Sequence, residues 1–200
     1  HILDYCDGDY IFFCDQDDVW FPEKIERSLM AFDSSDFTCS PEIPILVHAD
    51  LEVVDEYLAT QIVSMNAYLN GRKGRVSKFG LLLSNPVTGC TMCINRALKD
   101  LLHSHDKAMM HDWFFALLCL YREGQIVYLD ETLIKYRQHG SNTEGFNQSS
   151  SFRKLCAALL QLPRYFRMTR RIHAQATYFK RCSYVMFLFK RIFHSLGGLL

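Results

Sequence analysis

The sequence predicts an α/β domain: a mixed, mostly parallel sheet flanked by helices, followed by a basic helical extension. Three observations predict it. Strand-like apolar runs alternate with helical periodicity between residues 10 and 136. One run, residues 10–14, drives straight into three carboxylates, Asp15, Asp17 and Asp18. Charge is also split sharply along the chain. Residues 151–200 hold ten Lys or Arg and no Asp or Glu, so residues 1–150 carry a formal charge of −10 within a chain of net charge zero. At 200 residues, 49% hydrophobic and 22% charged, the composition suits one domain with a sizeable core.

Each element follows from local chemistry. Tyr10, Ile11, Phe12 and Phe13 favour a buried strand, and the carboxylates after them cannot remain inside a sheet. They are expected to emerge at its carboxyl end, where open α/β sheets bind ligands. Pro22 suits a helix start, and residues 23–32 continue as an amphipathic helix. Residues 33–44 read as a polar loop. Residues 45–50 read as a second strand ending in a carboxylate, and residues 56–76 as a long, weakly patterned, basic connection. A short helix is expected at 78–84, broken by Asn85-Pro86. A strand follows at 87–94, then a helix at 97–103. Residues 110–122 have helical periodicity with Gly124 at their end. Residues 125–136 form a strand pair or one bent strand, and 140–151 a polar loop. The remainder is helical and basic.

The eight cysteines form no zinc-ribbon spacing. Cys90 and Cys93 are a lone C-x-x-C pair in a strand-like run, expected to be buried free thiols. Such scattered cysteines fit a reducing cytosol. The longest apolar runs fall far short of the roughly 18–20 residues that cross a bilayer.

Three places carry chemistry. The acidic stretch offers oxygen ligands with no adjacent His, which suits a hard cation, Mg²⁺ or Mn²⁺, bridging to phosphates. Asp112, at the start of an apolar helix, is either a cap favoured by the macrodipole or a general base beside bound substrate. In the second case His111 and Trp113 shape the pocket. Arg137 and His139 converge at a strand end, where they suit phosphate or metal contacts.

Taken together these pieces resemble the bacterial family 2 glycosyltransferases of GT-A fold, in their rhamnosyltransferase-like branch. The carrying motifs are the D-x-D stretch at 12–20, Asn85-Pro86-Val87-Thr88-Gly89-Cys90, His111-Asp112-Trp113, residues 126–131, and Tyr136-Arg137-Gln138-His139-Gly140-Ser141-Asn142. The resemblance implies a nucleotide-sugar donor, with Asp15 and Asp17 holding a metal on its diphosphate and His139 near it. Gln16 and Arg137 join the donor side. Asp112 matches the base that deprotonates the acceptor in inverting members, with His111 where a Glu is often found. Thr88 and Gly89 match the acceptor-side turn, with Trp20, His111 and Trp113 in the acceptor pocket. The family's first, base-holding strand is expected before His1. Residues 1–145 would then be a partial GT-A domain lacking its N-terminal nucleotide-binding part, and 146–200 a basic amphipathic tail.

The expected function is transfer of a sugar, rhamnose in this branch, from a nucleotide-diphosphate donor to a glycan or lipid-linked glycan. A single displacement with one base inverts the anomeric centre, without the second nucleophilic carboxylate of retaining hydrolases. Two alternatives use the same residues. Residues 11–19 also fit a haloacid-dehalogenase-type phosphatase with Asp15 as nucleophile, although no second acidic pair supports it. A non-catalytic membrane-bound module is the other. The tail's basic pairs and apolar groups suit an anionic membrane interface, or else packing on the acidic body. They place the protein at the cytoplasmic face of the plasma membrane. No nucleic-acid recognition module is visible.

Overall fold

The structure is a computed structural model that describes residues 2–33, 42–69, 77–102, 108–138 and 162–195. Its centre is a six-stranded mixed sheet. The strands are β1 (Tyr10–Phe12), β2 (Val19–Trp20), β3 (Ile45–Val54), β4 (Thr60–Ile62), β5 (Cys93–Asn95) and β6 (Gln125–Arg137). They lie in the order β1-β5-β3-β6-β2, with β4 added along β3.

The sheet is mixed, but the balance of directions is the reverse of the one expected. Among the described residues only β3 and β6 pair in parallel, and the other four ladders are antiparallel. A parallel pair needs a long crossover. That crossover is the whole stretch from β4 to the end of α5 (His111–Tyr121). Apolar runs mark buried strands without marking their direction, which depends on partners far away in sequence.

Both faces of β3 are covered. Leu46 packs with Leu117, Phe115 and Ile94 on the α5 side. Ile45 and Val47 point the other way, against Ala31 and Phe32 of α1 (Lys24–Asp33). This two-sided burial explains why all ten residues of β3 are buried. The strand runs past Asp50, where the sequence suggested it would end. Asp50 is tolerated mid-strand because Ser64 donates to its Oδ2 at 2.5 Å and the Asn66 backbone N–H to its Oδ1 at 2.9 Å. Both donors come from α2 (Met65–Tyr68) and its cap, inside a connection read from sequence as unpatterned.

β1 is an edge strand, and only Ile11 of its three residues is buried. β6 is one strand of thirteen residues that slips register against β3 near Asp130 and Glu131. The bulge frees Glu131 for a two-pronged ion pair with Arg27, at 2.5 and 2.8 Å. The strand expected at 87–94 is interrupted by a 3-10 turn, Gly89–Thr91, and only β5 after it pairs in the sheet. At the end of α5 the left-handed residue is Glu123, with φ 57°. Gly124 is required for a different reason: a Cβ there would lie 2.3 Å from the Pro44 carbonyl oxygen.

α3 (Lys78–Leu83), capped by Ser77, and α4 (Arg96–Asp100), capped by Asn95, complete the α5 side. The basic extension forms α6 (Leu162–Phe179) and α7 (Tyr184–Ser195). Ile172 and Ala176 of α6 and Phe187 of α7 enter the same core as α3 and α5. The Gln175 side-chain oxygen accepts from the Met109 backbone N–H at 2.7 Å. One face of the extension is therefore part of the domain.

Candidate functional site

The D-x-D segment, residues 13–18, carries the chain from β1 at one margin of the sheet to β2 at the other. It does not follow the carboxyl end of a buried strand. Its path is held at both ends. Phe13 donates its backbone N–H to the Met92 carbonyl at 3.1 Å. At the far end Arg137, the last residue of β6, donates its backbone N–H to Asp18 Oδ1 at 3.1 Å and its Nε to the Asp17 carbonyl at 2.9 Å. A second guanidinium nitrogen donates to the Glu56 carbonyl at 3.0 Å.

Carboxylate oxygens of Asp15 and Asp18 and the sulfur of Cys90 lie within 4.8 Å of one another. Asp18 Oδ2 is shut off from solvent, and the Cys90 thiol is the hydrogen-bond donor beside this carboxyl. Burial raises the pKa of Asp18, opposed by the Arg137 N–H and aided by the charges of Asp15 and Asp17. Burial, and then the adjacent Asp18 carboxylate, push the Cys90 thiol well above its ordinary range, so it stays a thiol. Two converging carboxylate oxygens, one of them on the half-buried Asp18, fit a divalent cation, whereas the neutral thiol is a poor ligand for it.

Lys24 lies beneath this turn, and its side chain is 1% exposed. Its Nζ donates to the Cys90 and Thr91 carbonyls, each at 3.4 Å, and sits 4.9 Å from the Trp20 ring centre. Burial lowers its pKa to about 8. A buried cation here offsets the crowded carboxylates from the protein side and holds the 3-10 turn that presents Cys90.

The second half of the site abuts the first through Gly89. A Cβ on Gly89 would lie 2.7 Å from His111 Nε2 and 3.7 Å from Asp112 Cβ. Any larger residue would push the His111 ring aside, so glycine gives turn and helix their closest approach. His111 also stacks on Phe13, with ring centres 5.5 Å apart, so the D-x-D segment and the His-Asp pair share one locus. Asp112 is 3% exposed and accepts from the Trp113 backbone N–H at 2.6 Å. Burial raises its pKa, while Trp113 N–H, His111, Asn85 and Gly89 favour its ionised form. A carboxylate so placed is a stronger base than a solvated one.

The predicted residues divide as follows. Asp15, Gln16 and Asp17 lie on the acidic turn that Arg137 holds, and Thr88, Gly89, His111 and Asp112 lie at the junction of the 3-10 turn with α5. Asp17 is outside the three-residue cluster, its place beside Asp15 taken by Asp18. Trp113 was expected to shape the pocket. Its ring is instead a core group, 4% exposed, with its indole N–H on the Leu81 carbonyl at 2.6 Å. The reason is its helix position: the residue after Asp112 points into the layer against α3. Trp20 is half-buried on β2 and packs on Lys24 and Phe12. His139 lies outside the described residues. Sequence reasoning missed Lys24, which reads as one more polar residue of an amphipathic helix, and the pairing of Asp18 with Asp15. Cys90 stood within a quoted motif, but nothing in its spacing linked it to the acidic stretch.

The glycosyl transferase family 2 profile matches residues 1–102, half the chain, and the chain belongs to that family. It is also 25% identical over 158 residues to an uncharacterized glycosyltransferase of Rickettsia typhi. That match covers 77% of this chain and 48% of the relative, so the chain spans about half the length of the curated relative it matches. Family membership leaves no ground for the dehalogenase-type reading of residues 11–19.

Proposed function

We propose that the protein transfers a sugar from a nucleotide-diphosphate donor to a hydroxyl of a glycan or lipid-linked glycan, with inversion at the anomeric carbon. The observation that carries this reading is the junction at Gly89. It sets a desolvated carboxylate, Asp112, next to a turn bearing Asp15, Asp17 and Asp18. A base and an acidic phosphate-side cluster are the two parts that such a displacement needs.

Mg²⁺ or Mn²⁺ is the proposed cofactor, held by Asp15 with Asp18. Asp17 serves as the D-x-D partner that shapes the turn through its carbonyl, and His139 as a further donor-side contact. When bound, the ion would neutralise charge on the departing diphosphate. Arg137 keeps the acidic turn docked on β6 and brings positive charge to the donor side. Asp112 accepts the proton of the acceptor hydroxyl as that oxygen attacks from the face opposite the leaving group. His111, stacked on Phe13, bounds the acceptor side together with Thr88 and Gly89. A rhamnosyl donor is the branch-specific version of this proposal, and the cytoplasmic membrane face is the proposed place of work.

The test is a screen of nucleotide-diphosphate sugars with the full-length protein, with Mg²⁺ or Mn²⁺ and with chelator. Cation-dependent release of nucleoside diphosphate, with sugar moved to an acceptor, is expected for one donor class. Turnover unaffected by chelator would remove the metal assignment, and release of inorganic phosphate alone would remove glycosyl transfer.

A further inference from the structure

Helix α7 is apolar on two opposite sides. Phe187 and Arg191 face inward and are buried. Val185, Met186, Phe189 and Ile192 fall on the other side at i, i+1, i+4 and i+7 spacing, with Val185 62% and Phe189 61% exposed. A helix apolar all round is normally buried, and a contiguous exposed apolar stripe marks a contact surface. Phe79 of α3, itself exposed, extends the stripe and carries Lys190 over its ring at 4.3 Å.

The flanks say what covers the stripe. Lys180, Arg181 and Lys190 border it, and no carboxylate occurs anywhere in residues 151–200. In a symmetric contact between two copies each cation would meet its own counterpart without a compensating anion. A surface rich in anionic headgroups instead satisfies both features: acyl boundary for the aromatic and aliphatic groups, phosphates for the ammonium and guanidinium groups. At 12 residues α7 can lie in an interface but not span one, and among the described residues no helix is long and apolar enough to cross a membrane.

The helix is also tied to one side of the site. Arg191, buried beside Tyr165, donates to the Leu83 carbonyl. Leu83 ends α3, two residues before Asn85, which hydrogen-bonds Asp112. We infer that the outer face of α7, with Phe79, docks on an anionic membrane surface and so presents the Asp112 side of the crevice to an acceptor embedded there. The orientation towards an acceptor rests on the proposed transfer reaction, whereas the docking does not.

The experiment is vesicle sedimentation of the full-length protein on phosphatidylcholine alone and on phosphatidylcholine mixed with phosphatidylglycerol. The protein is expected on anionic vesicles only, with binding falling about tenfold or more between low and high salt. Val185→Glu/Phe189→Glu should lose at least about tenfold of that binding. Because both positions are exposed, its thermal midpoint and its turnover of a water-soluble acceptor should stay at wild-type values. Lys190→Gln/Arg181→Gln, which leaves the apolar stripe intact, should weaken binding and flatten its salt dependence. Equal sedimentation of wild type and the Glu variant, or no wild-type sedimentation, overturns the inference. So does a concentration-dependent dimer that the Glu variant abolishes, which would make a second copy the occupant. Vesicle binding without any sugar transfer would sink the proposed reaction and leave the docking face standing.

Discussion

Asp50 and Asp112 are both buried carboxylates, yet they are buried in opposite ways. Asp50 sits mid-strand with a donor on each oxygen, the Ser64 hydroxyl at 2.5 Å and the Asn66 N–H at 2.9 Å. Asp112 is as deeply buried, but desolvation prevails over its partners and its pKa is raised. Asp18 repeats the second pattern: burial raises its pKa despite the Arg137 N–H and the Cys90 thiol. A carboxylate with a donor on each oxygen ties its segment into the fold. A buried carboxyl whose desolvation outweighs its hydrogen bonds is poised to change protonation, as catalytic groups are. The second kind stands where sugar transfer is proposed, and the first kind on the far reach of β3.

The largest effects should come from the acidic turn. Asp15→Asn is expected to remove detectable transfer in the full-length protein with little change in the fold. Asp17→Asn and Asp18→Asn then separate two ligand sets by Mn²⁺ affinity. If Asp18 pairs with Asp15, Asp18→Asn abolishes Mn²⁺ binding and Asp17→Asn retains it. The opposite result would restore the D-x-D pair, Asp15 with Asp17, as the metal ligands.

Next in size is Asp112→Asn, expected to slow turnover by about 10²–10⁴-fold, the range for losing a general base, with donor affinity kept. A variant that melts earlier but turns over normally would reduce Asp112 to a helix cap. The pH profile tests the same residue. A base must be ionised, so kcat/KM should rise with pH through the raised pKa of Asp112, above the ordinary carboxylate range, and Asp112→Asn should erase that limb. Stability runs the other way. A carboxyl whose folded pKa is raised contributes stability fully below its unfolded pKa and loses it as pH climbs through the folded value.

Smallest in rate but clear in stability is Asp50→Ala. Two part-buried donors lose their acceptor, a cost of about 1–3 kcal/mol in urea unfolding. Turnover per folded molecule should be unchanged. A loss of rate at full stability would break the contrast between the two carboxylates and draw Asp50 into the site.

Much of this was legible from local pattern. The helix at 111–121, the helix behind Pro22 and the strand at 45 follow from periodicity and punctuation, which are short-range properties. The acidic stretch and Asp112 were legible as chemistry, because charges crowded beside apolar runs need a reason. Other features were not. The direction of the sheet depends on β3 meeting β6 some eighty residues later. Trp113 looked like a pocket wall because it adjoins Asp112, but helix geometry turns it into the core.

By itself the sequence determined the α/β class, the placing of most elements, the motifs of the family and the segregation of positive charge into the last fifty residues. Each is written in neighbouring residues, through propensity, periodicity or composition. Tertiary structure decided which carboxylate faces Asp15, and why Lys24 is buried beneath them. It decided that Gly89 joins the two halves of the site, and that the basic extension spends one face on the core and leaves the other bare. Those outcomes depend on side chains meeting across tens of residues, and free energy of burial is settled only when the partners are in place.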